Sequence, residues 1–460
     1  MSLPPDPAAQ PAPPAAPQAV AVQAAGADPR PALPAPPRPR LLERRRGLWL
    51  GLFIAFIAIC GVVLLGYVGN RIGPVALAVG VAAAMLPVPV LVSCFLWLDR
   101  YDPEPVQLLL LCFLWGAFVA TGVALLVNTS AAWAFERWGV ADELVGVLVA
   151  PVIEELMKAA FPIALLFLAR RRFSGVTDGI VFCGLSATGF AMVENILYLG
   201  GYGYASGAAE GGVAGGALAV EAMFIGRVLF SGFGHPLFTA MVGIGLGIAA
   251  RSADRRVRVL APCVGLLLAM GLHAAWNLMA TLAQDDAYYV LYGYFSVFMP
   301  IFLTVTGIVI WVRSWEGRLT ERVLPAYAAA GWFSPPEVIA LGTLGRRLSA
   351  RAWARRVAGD AGAAAMRGYQ FAATRLALVR DGLDRGLRRK PEEIEVALEE
   401  ERALLSAIEA YRQVFTRRDP MTPPARWDGQ RYHVVFPDGV PRPVDAPPLP
   451  VVPVPFLAQR

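Results

Sequence analysis

Residues 143–169 read ELVGVLVAPVIEELMKAAFPIALLFLA. At ~1.5 Å of helix rise per residue the run is long and apolar enough to cross a bilayer, yet Glu154, Glu155 and Lys158 sit in its middle. An ionisable side chain within lipid is costly and needs a partner, a cavity or a function. The stretch therefore predicts an all-α, polytopic transmembrane bundle whose other helices meet these charges.

Outward from this run the chain keeps the same character. Of its 460 residues 56% are hydrophobic and 17% charged, below the ~25% usual for soluble domains, which argues against a cytosolic globular enzyme. About eight spans can be drawn, at 47–69, 73–98, 107–127, 143–169, 178–200, 221–250, 257–281 and 287–312. The first begins near Gly47, too late and too long for a cleaved signal peptide, and is expected to remain as an anchor. Arginine clusters at Arg44 to Arg46, Arg170 to Arg172, Arg251 to Arg258 and Arg313 to Arg318 fall on one side if eight helices alternate. The opposite loops carry Arg71, Arg137, the Gly-rich stretch 200–220 and the acidic Asp285 and Asp286. By the positive-inside bias both termini are expected in the cytoplasm, with the bundle in the plasma membrane. The net charge of +6 lies mostly beside apolar runs or in the tail, so no nucleic-acid partner is expected. Cys60, Cys94, Cys112, Cys183 and Cys263 all fall in apolar stretches without a CxxC pair and read as reduced packing residues.

Four segments follow from these changes of composition. Residues 1–40 are a Pro/Ala-rich arm with too little apolar surface to offset chain entropy; residues 41–315 form the membrane core. Residues 316–418 read as a small helical cytosolic region, with Pro391, Glu392 and Glu393 opening a charged amphipathic helix that runs to Phe415. From 419 to 460 a Pro-rich coil is expected. Nothing in the tail specifies its partner.

Other spans also carry side chains that lipid disfavours: Glu194 and Asn195 in span five, Arg227 and His235 in span six, His273 and Asn277 in span seven. Glu154 lies roughly 17 Å from the outer end of its span, Glu194 roughly 10 Å, His235 roughly 20 Å and His273 roughly 12 Å, a single layer in the outer half. Glu154 and Lys158 are i,i+4 and share a face, as do His273 with Asn277 and Phe190 with Glu194. Glu155 points about 100° away from Glu154, so one acid can face a cavity centre and the other a neighbouring helix.

Such a layer suits hydrolysis of an amide by activated water, with Glu154 or Glu155 as general base and then acid. The histidines and Asn277 can donate to a developing oxyanion or, with Glu194, complete an N/O ligand set for a zinc-like metal. Three glutamates against Lys158 sum to −2, which a divalent cation would neutralise, as would shared protons or Arg227.

These motifs resemble the PrsW-type intramembrane proteases of the CAAX-protease and bacteriocin-processing superfamily. The EExxK element is Glu154, Glu155 and Lys158. The FxxxE element is Phe190 and Glu194, continued as Asn195 and Tyr198; Arg227 and His235 come next, and HxxxN is His273 and Asn277. The Pro-bearing acidic loop from Asp99 to Pro105 is similar as well, and the likeness covers roughly 95–312. It implies a membrane endopeptidase that cleaves a membrane-embedded or membrane-proximal protein substrate. Glu154, Glu155 and Asn277 would be catalytic; Glu194, His235 and His273 would hold a metal, with Lys158 and Arg227 as supporting charges. The related superfamily often has His where this chain has Glu194.

Other readings compete. A structural ion pair with Lys158 and Arg227 would account for Glu154 and Glu155, and helix packing for the histidines. Ser186, in a GxSx match, suggests a serine protease, but it lies roughly 12 Å from the cytoplasmic end of its span against roughly 24 Å for His273. An ion-coupled transporter places acids at mid-membrane but usually shows paired halves, and none is seen here. An inactive membrane binding protein would keep every motif.

Overall fold

The computed structural model describes residues 41–101, 103–141, 143–168, 173, 175–283, 288–388, 390–415, 425–435 and 440–445. The arm 1–40, Arg170 to Arg172, Asp285, Asp286 and the stretches 416–424, 436–439 and 446–460 lie outside the described residues, as do the expectations placed on them. Two compact units divide the chain between Leu52 and Phe53; of the first, only the opening of the first helix is described.

The described residues form the helices α1 (Leu41–Ile72), α2 (Pro74–Met85), α3 (Val88–Leu98), α4 (Val106–Leu114), α5 (Thr121–Arg137), α6 (Ala150–Leu168), α7 (Val176–Ile196) and α8 (Ser206–Phe224). They continue with α9 (Gly234–Ala250), α10 (Arg255–Leu282), α11 (Tyr288–Gly293), α12 (Met299–Gly317), α13 (Leu319–Ala329), α14 (Pro335–Leu341), α15 (Leu344–Asp384) and α16 (Pro391–Phe415). Among the described residues six stretches are long and apolar enough to cross a membrane: Gly47–Ile72, Pro74–Leu98, Val106–Arg137, Val176–Ala250, Arg255–Leu282 and Tyr288–Ala329. Expected spans five and six fall within the one stretch Val176–Ala250. Expected span four, now α6, stands apart from the six because it carries three charges, Glu154, Glu155 and Lys158. Large apolar side chains point outward all round the bundle, among them Ile59, Val62, Val63, Leu126, Leu267 and Leu303, each more than half exposed. Water would not tolerate so much apolar surface, and hydrocarbon does. The chain is an all-α polytopic membrane protein.

At the centre of the bundle stands α7, buried along nearly its whole length. Small residues let its neighbours approach closely, as they must where packing rather than water drives helices together. A Cβ on Gly179 would strike the Gly243 carbonyl of α9, and one on Gly189 the Phe113 carbonyl of α4. This close packing fixes the height of Glu194, near the far end of α7, against His235 at the start of α9.

Two sequence expectations change. The Gly-rich stretch 200–220 is not a loop: a π-helical turn, Leu197–Ala205, extends α7 and leads into α8, which reverses direction at Gly211 and Gly212. Gly212 has φ +63°, a conformation open to glycine, and Gly207 and Gly215 let the two arms touch. Nor is the tail beyond Pro420 all coil. Three antiparallel strands, β1 (Ala425–Trp427), β2 (Arg431–Val435) and β3 (Pro441–Asp445), pair in the order β1-β2-β3. The Asp428-Gly429 turn nucleates the first hairpin. The backbone amides of Arg431 and Gln430 donate to Asp428 Oδ1, and together with His433 they hold its carboxyl well below the usual carboxylate range.

Residues 319–415 have a core of their own, with Leu324, Leu341, Leu376 and Ile408 at its centre, and α16 spans the residues read from sequence. They meet the membrane helices at the Asp99–Pro105 loop. Arg313 stacks on Trp97 and Tyr101, Arg347 donates to the Tyr101 carbonyl at 3.2 Å, and Arg251 pairs with Asp381.

Replacing Gly179 by Ala should cost about 1–3 kcal/mol through overpacking against α9. Gly122→Ala, where nothing lies within 4 Å of the added methyl, should leave stability unchanged or slightly raised. Unfolding midpoints of the purified variants in detergent check the contrast.

Candidate active site

The site grows from α6. Lys158 is fully buried, and a buried ammonium survives only with its protons engaged. Its Nζ lies 2.9 Å from Glu155 Oε1, 3.4 Å from Glu154 Oε2 and 2.9 Å from His235 Nδ1, with the Phe190 ring 4.1 Å away. The helix repeat delivers both acids to it, at i,i+3 and i,i+4. The Phe of the FxxxE element thus gives Lys158 a π face, while its Glu lies on another partner.

Two carboxylate–imidazole pairs follow. His273 Nδ1 lies 2.9 Å from Glu155 Oε1, and the Thr239 hydroxyl donates to Glu155 Oε2 at 2.7 Å. His235 Nε2 lies 2.8 Å from Glu194 Oε2, on which Arg227 Nη2 also donates at 2.7 Å. Arg227 in turn donates to Asn195 Oδ1 at 3.3 Å and lies 3.5 Å from the centre of the Tyr198 ring. Partner chemistry assigns the tautomers. Lys158 can only donate, so His235 Nδ1 accepts and its Nε2 carries the proton held by Glu194. By the same logic His273 gives its Nδ1 proton to Glu155 and turns a bare Nε2 toward Glu154 Oε2, 3.8 Å away.

A cavity of about 980 Å³ opens onto this cluster, its wall including Glu154, Glu194, Arg227, His235, His273 and Asn277. Glu155 and Lys158 stand behind that wall, both fully buried. The roughly 100° between adjacent helix positions has divided the two acids, with Glu154 facing the cavity and Glu155 the neighbouring helices. Asn277 lies on the wall but spends one amide proton on the Gly146 carbonyl at 2.7 Å.

The four helices therefore do bring Glu154, Glu155, Lys158, Glu194, His235 and His273 together at one height. The grouping differs from expectation in one respect. Among the described residues, the group whose ligand atoms all lie within 4.8 Å of one another is Glu154, His235 and His273, while Glu194, expected as a ligand, is taken up by Arg227 and His235. Those three residues offer a donor set that fits a divalent cation: the two orienting carboxylates leave one lone pair on each imidazole, that of His273 turned toward the Glu154 carboxylate. Lys158 now holds the His235 lone pair and would have to yield it. Ser186 is buried, its hydroxyl donating to the Lys158 carbonyl at 2.8 Å, as a residue that packs helices. Two contributors escaped sequence reasoning. Thr239 follows His235 by one helical turn, a spacing that could have flagged it. Asn128, whose Nδ2 donates to Glu154 Oε1 at 3.3 Å, lies just beyond the expected end of span three at 127.

Residues 104–305 match the PrsW family intramembrane metalloprotease model. Protease PrsW of Bacillus subtilis is 29% identical over 211 residues, 46% of this chain and 87% of that protein. Protease PrsW of Clostridioides difficile is 36% identical over 118 residues, 24% of this chain and 48% of its own length. That of Geobacillus kaustophilus is 26% identical over 209 residues, 45% and 83% respectively. No solved structure matches the chain.

Lys158→Met should destabilise the protein by about 3–5 kcal/mol, because it leaves two buried carboxylates without their cation. Adding Glu155→Gln to that variant should recover part of the loss. Denaturant unfolding in detergent, run on both, measures the difference.

Proposed function

We propose that this chain, whose residues 104–305 match the PrsW family model, hydrolyses a peptide bond of a membrane-embedded or membrane-proximal protein with water activated by Glu154. The observation that carries this reading is the cavity wall: of the two adjacent glutamates, Glu154 alone faces the space a substrate would enter, and Glu155 is committed to Lys158, His273 and Thr239. The protease relatives favour hydrolysis over transport.

In the proposed reaction Glu154 takes a proton from water as the water oxygen bonds to the scissile carbonyl carbon. It then returns that proton to the leaving nitrogen as the C–N bond breaks. Glu155 and Glu194 hold the imidazoles in orientation, and the free amide proton of Asn277 is placed to donate to the developing oxyanion. Glu154, His235 and His273 would hold a cation such as zinc, which when bound polarises the carbonyl and acidifies water. The arginine-rich flanks support cytoplasmic termini in the plasma membrane.

Glu154→Gln should lower turnover by at least about 10²-fold in reconstituted vesicles while membrane insertion stays intact; undiminished cleavage refutes the assignment. Metal analysis of the purified protein should find about one divalent ion per chain. Chelation should then abolish cleavage, and zinc should restore it.

A further inference from the structure

The cavity that opens onto the cluster extends beyond it to the last turn of α1. Its wall there includes Tyr67 and Arg71, one helical turn apart on one face of α1, with Tyr198 and Tyr202 on the π-helical turn that extends α7. Besides histidine, the charged side chains that line this space among the described residues are Glu154, Glu194, Arg227 and Arg71. The first three have partners on the protein: Glu154 has Lys158 at 3.4 Å, and Glu194 and Arg227 have each other at 2.7 Å. The Arg71 side chain is exposed and makes no ion pair or hydrogen bond among the described residues. A cation in a last turn complements the helix dipole, but that effect does not require a place on the wall of a cavity. The height of Arg71 follows from its neighbour Ile72. A Cβ on Gly200 would meet the Ile72 side chain at 3.1 Å, and one on Gly201 at 3.2 Å. Those glycines lie six and seven residues past Glu194, which sets Arg71 roughly 9 Å along the α7 direction from the level of the catalytic cluster.

We propose that Arg71 determines substrate choice, by pairing with an acidic side chain that the substrate carries about three residues from its scissile bond. This rests on the protease reading of the site. The spacing comes from the height difference: a peptide segment drawn out for cleavage rises about 3.3 Å per residue, so roughly 9 Å corresponds to about three residues. The charges along the wall give such a segment one register. A substrate carboxylate beside the cluster would face Glu154 and be repelled, whereas at the α1 end it meets a guanidinium whose donors are unspent. Arginine suits the task, because its planar fork can hold a carboxylate through two parallel hydrogen bonds and keeps its charge at any working pH. Arg227, the other arginine on the wall, is already spent on Glu194 and Asn195. The phenol rings of Tyr67 and Tyr202 flank the approach with apolar faces, which suits a segment leaving the bilayer.

The test uses the full-length protein in lipid nanodiscs and synthetic single-span peptides that differ only in one residue, Glu, Gln or Lys, moved stepwise through the segment beside the span. Mass spectrometry of the products is expected to show the cut following the Glu at a fixed offset of about three residues. Arg71→Gln should raise KM for the Glu peptide by about 5- to 20-fold with kcat changed less than twofold, and should leave the Gln peptide unaffected. Arg71→Glu should reverse the preference, so that the Lys peptide becomes the better substrate. Binding of the uncleaved peptides, followed by fluorescence anisotropy, supplies a readout independent of turnover: the Glu peptide should bind more tightly than the Gln peptide, and Arg71→Gln should erase the difference. Equal affinity for the Glu and Gln peptides overturns the proposal. So does an Arg71→Gln effect that is the same for both, as a lipid headgroup or a purely structural role would give, or a failure of Arg71→Glu to favour Lys. If the unaltered protein cleaves no peptide, the protease reading fails, and the anisotropy measurements still decide whether Arg71 reads an acidic side chain.

Discussion

A single buried ammonium holds this molecule's centre in order. Lys158 lies out of reach of solvent and touches Glu154, Glu155 and His235 at once. In a low dielectric, two adjacent carboxylates without a cation would repel each other and shed their charge. With Lys158 between them, one can be locked and the other left facing an open space. The groups that surround the ammonium come from α6, α7 and α9, and the glycine contacts that draw α7 against α4 and α9 set their common height. Packing and charge are thus one constraint seen at two scales. The close approach at Gly179 and Gly243 lies about two turns along α9 from His235, and it fixes how near His235 can come to Lys158.

That constraint also explains what could be read from the chain beforehand. Charges in the middle of apolar runs announced a membrane bundle with a polar layer, and helix rise alone put Glu154, Glu194, His235 and His273 at comparable heights. Rotation about each helix was legible only in part. Spacing showed that Glu154 and Glu155 diverge, but which of them faces the cavity depends on how α6 is turned against α9 and α10, and no local pattern encodes that. The same gap hid the partner of Glu194. Its match to a ligand position suggested a metal, whereas Arg227 from the segment before α9 arrives to claim it. Asn128 was hidden for another reason: an amide near the end of an apolar run looks like a boundary residue until a carboxylate from a different helix is found beside it.

Outside the membrane core the reading failed where short signals were outweighed by composition. The tail's prolines suggested coil, yet Asp428 and Gly429 close a hairpin, and Pro441 and Pro443 sit on β3 at the edge of the sheet, where a missing donor is tolerated. Glycines at 200–220 suggested a loop, but within a bilayer backbone groups must be satisfied internally. A helix that reverses once at Gly212 meets that demand better than an open loop would.

The arrangement of the two histidines narrows what the site can do. Each ring is fixed by a carboxylate on one nitrogen, Glu155 on His273 and Glu194 on His235, while the other nitrogen of His235 rests on Lys158 and that of His273 faces Glu154. Each orienting acid is itself tied down, the first by Lys158 and Thr239, the second by Arg227. Rings held this firmly lose little freedom when a ligand binds, and catalytic sites are expected to be organised before the substrate arrives. A purely structural ion cluster has no use for such preparation, since its charges need only find one another. Here the cluster pairs its charges and still leaves Glu154 facing a cavity with an imidazole nitrogen beside it, a disposition that the proposed hydrolysis uses and packing alone does not need.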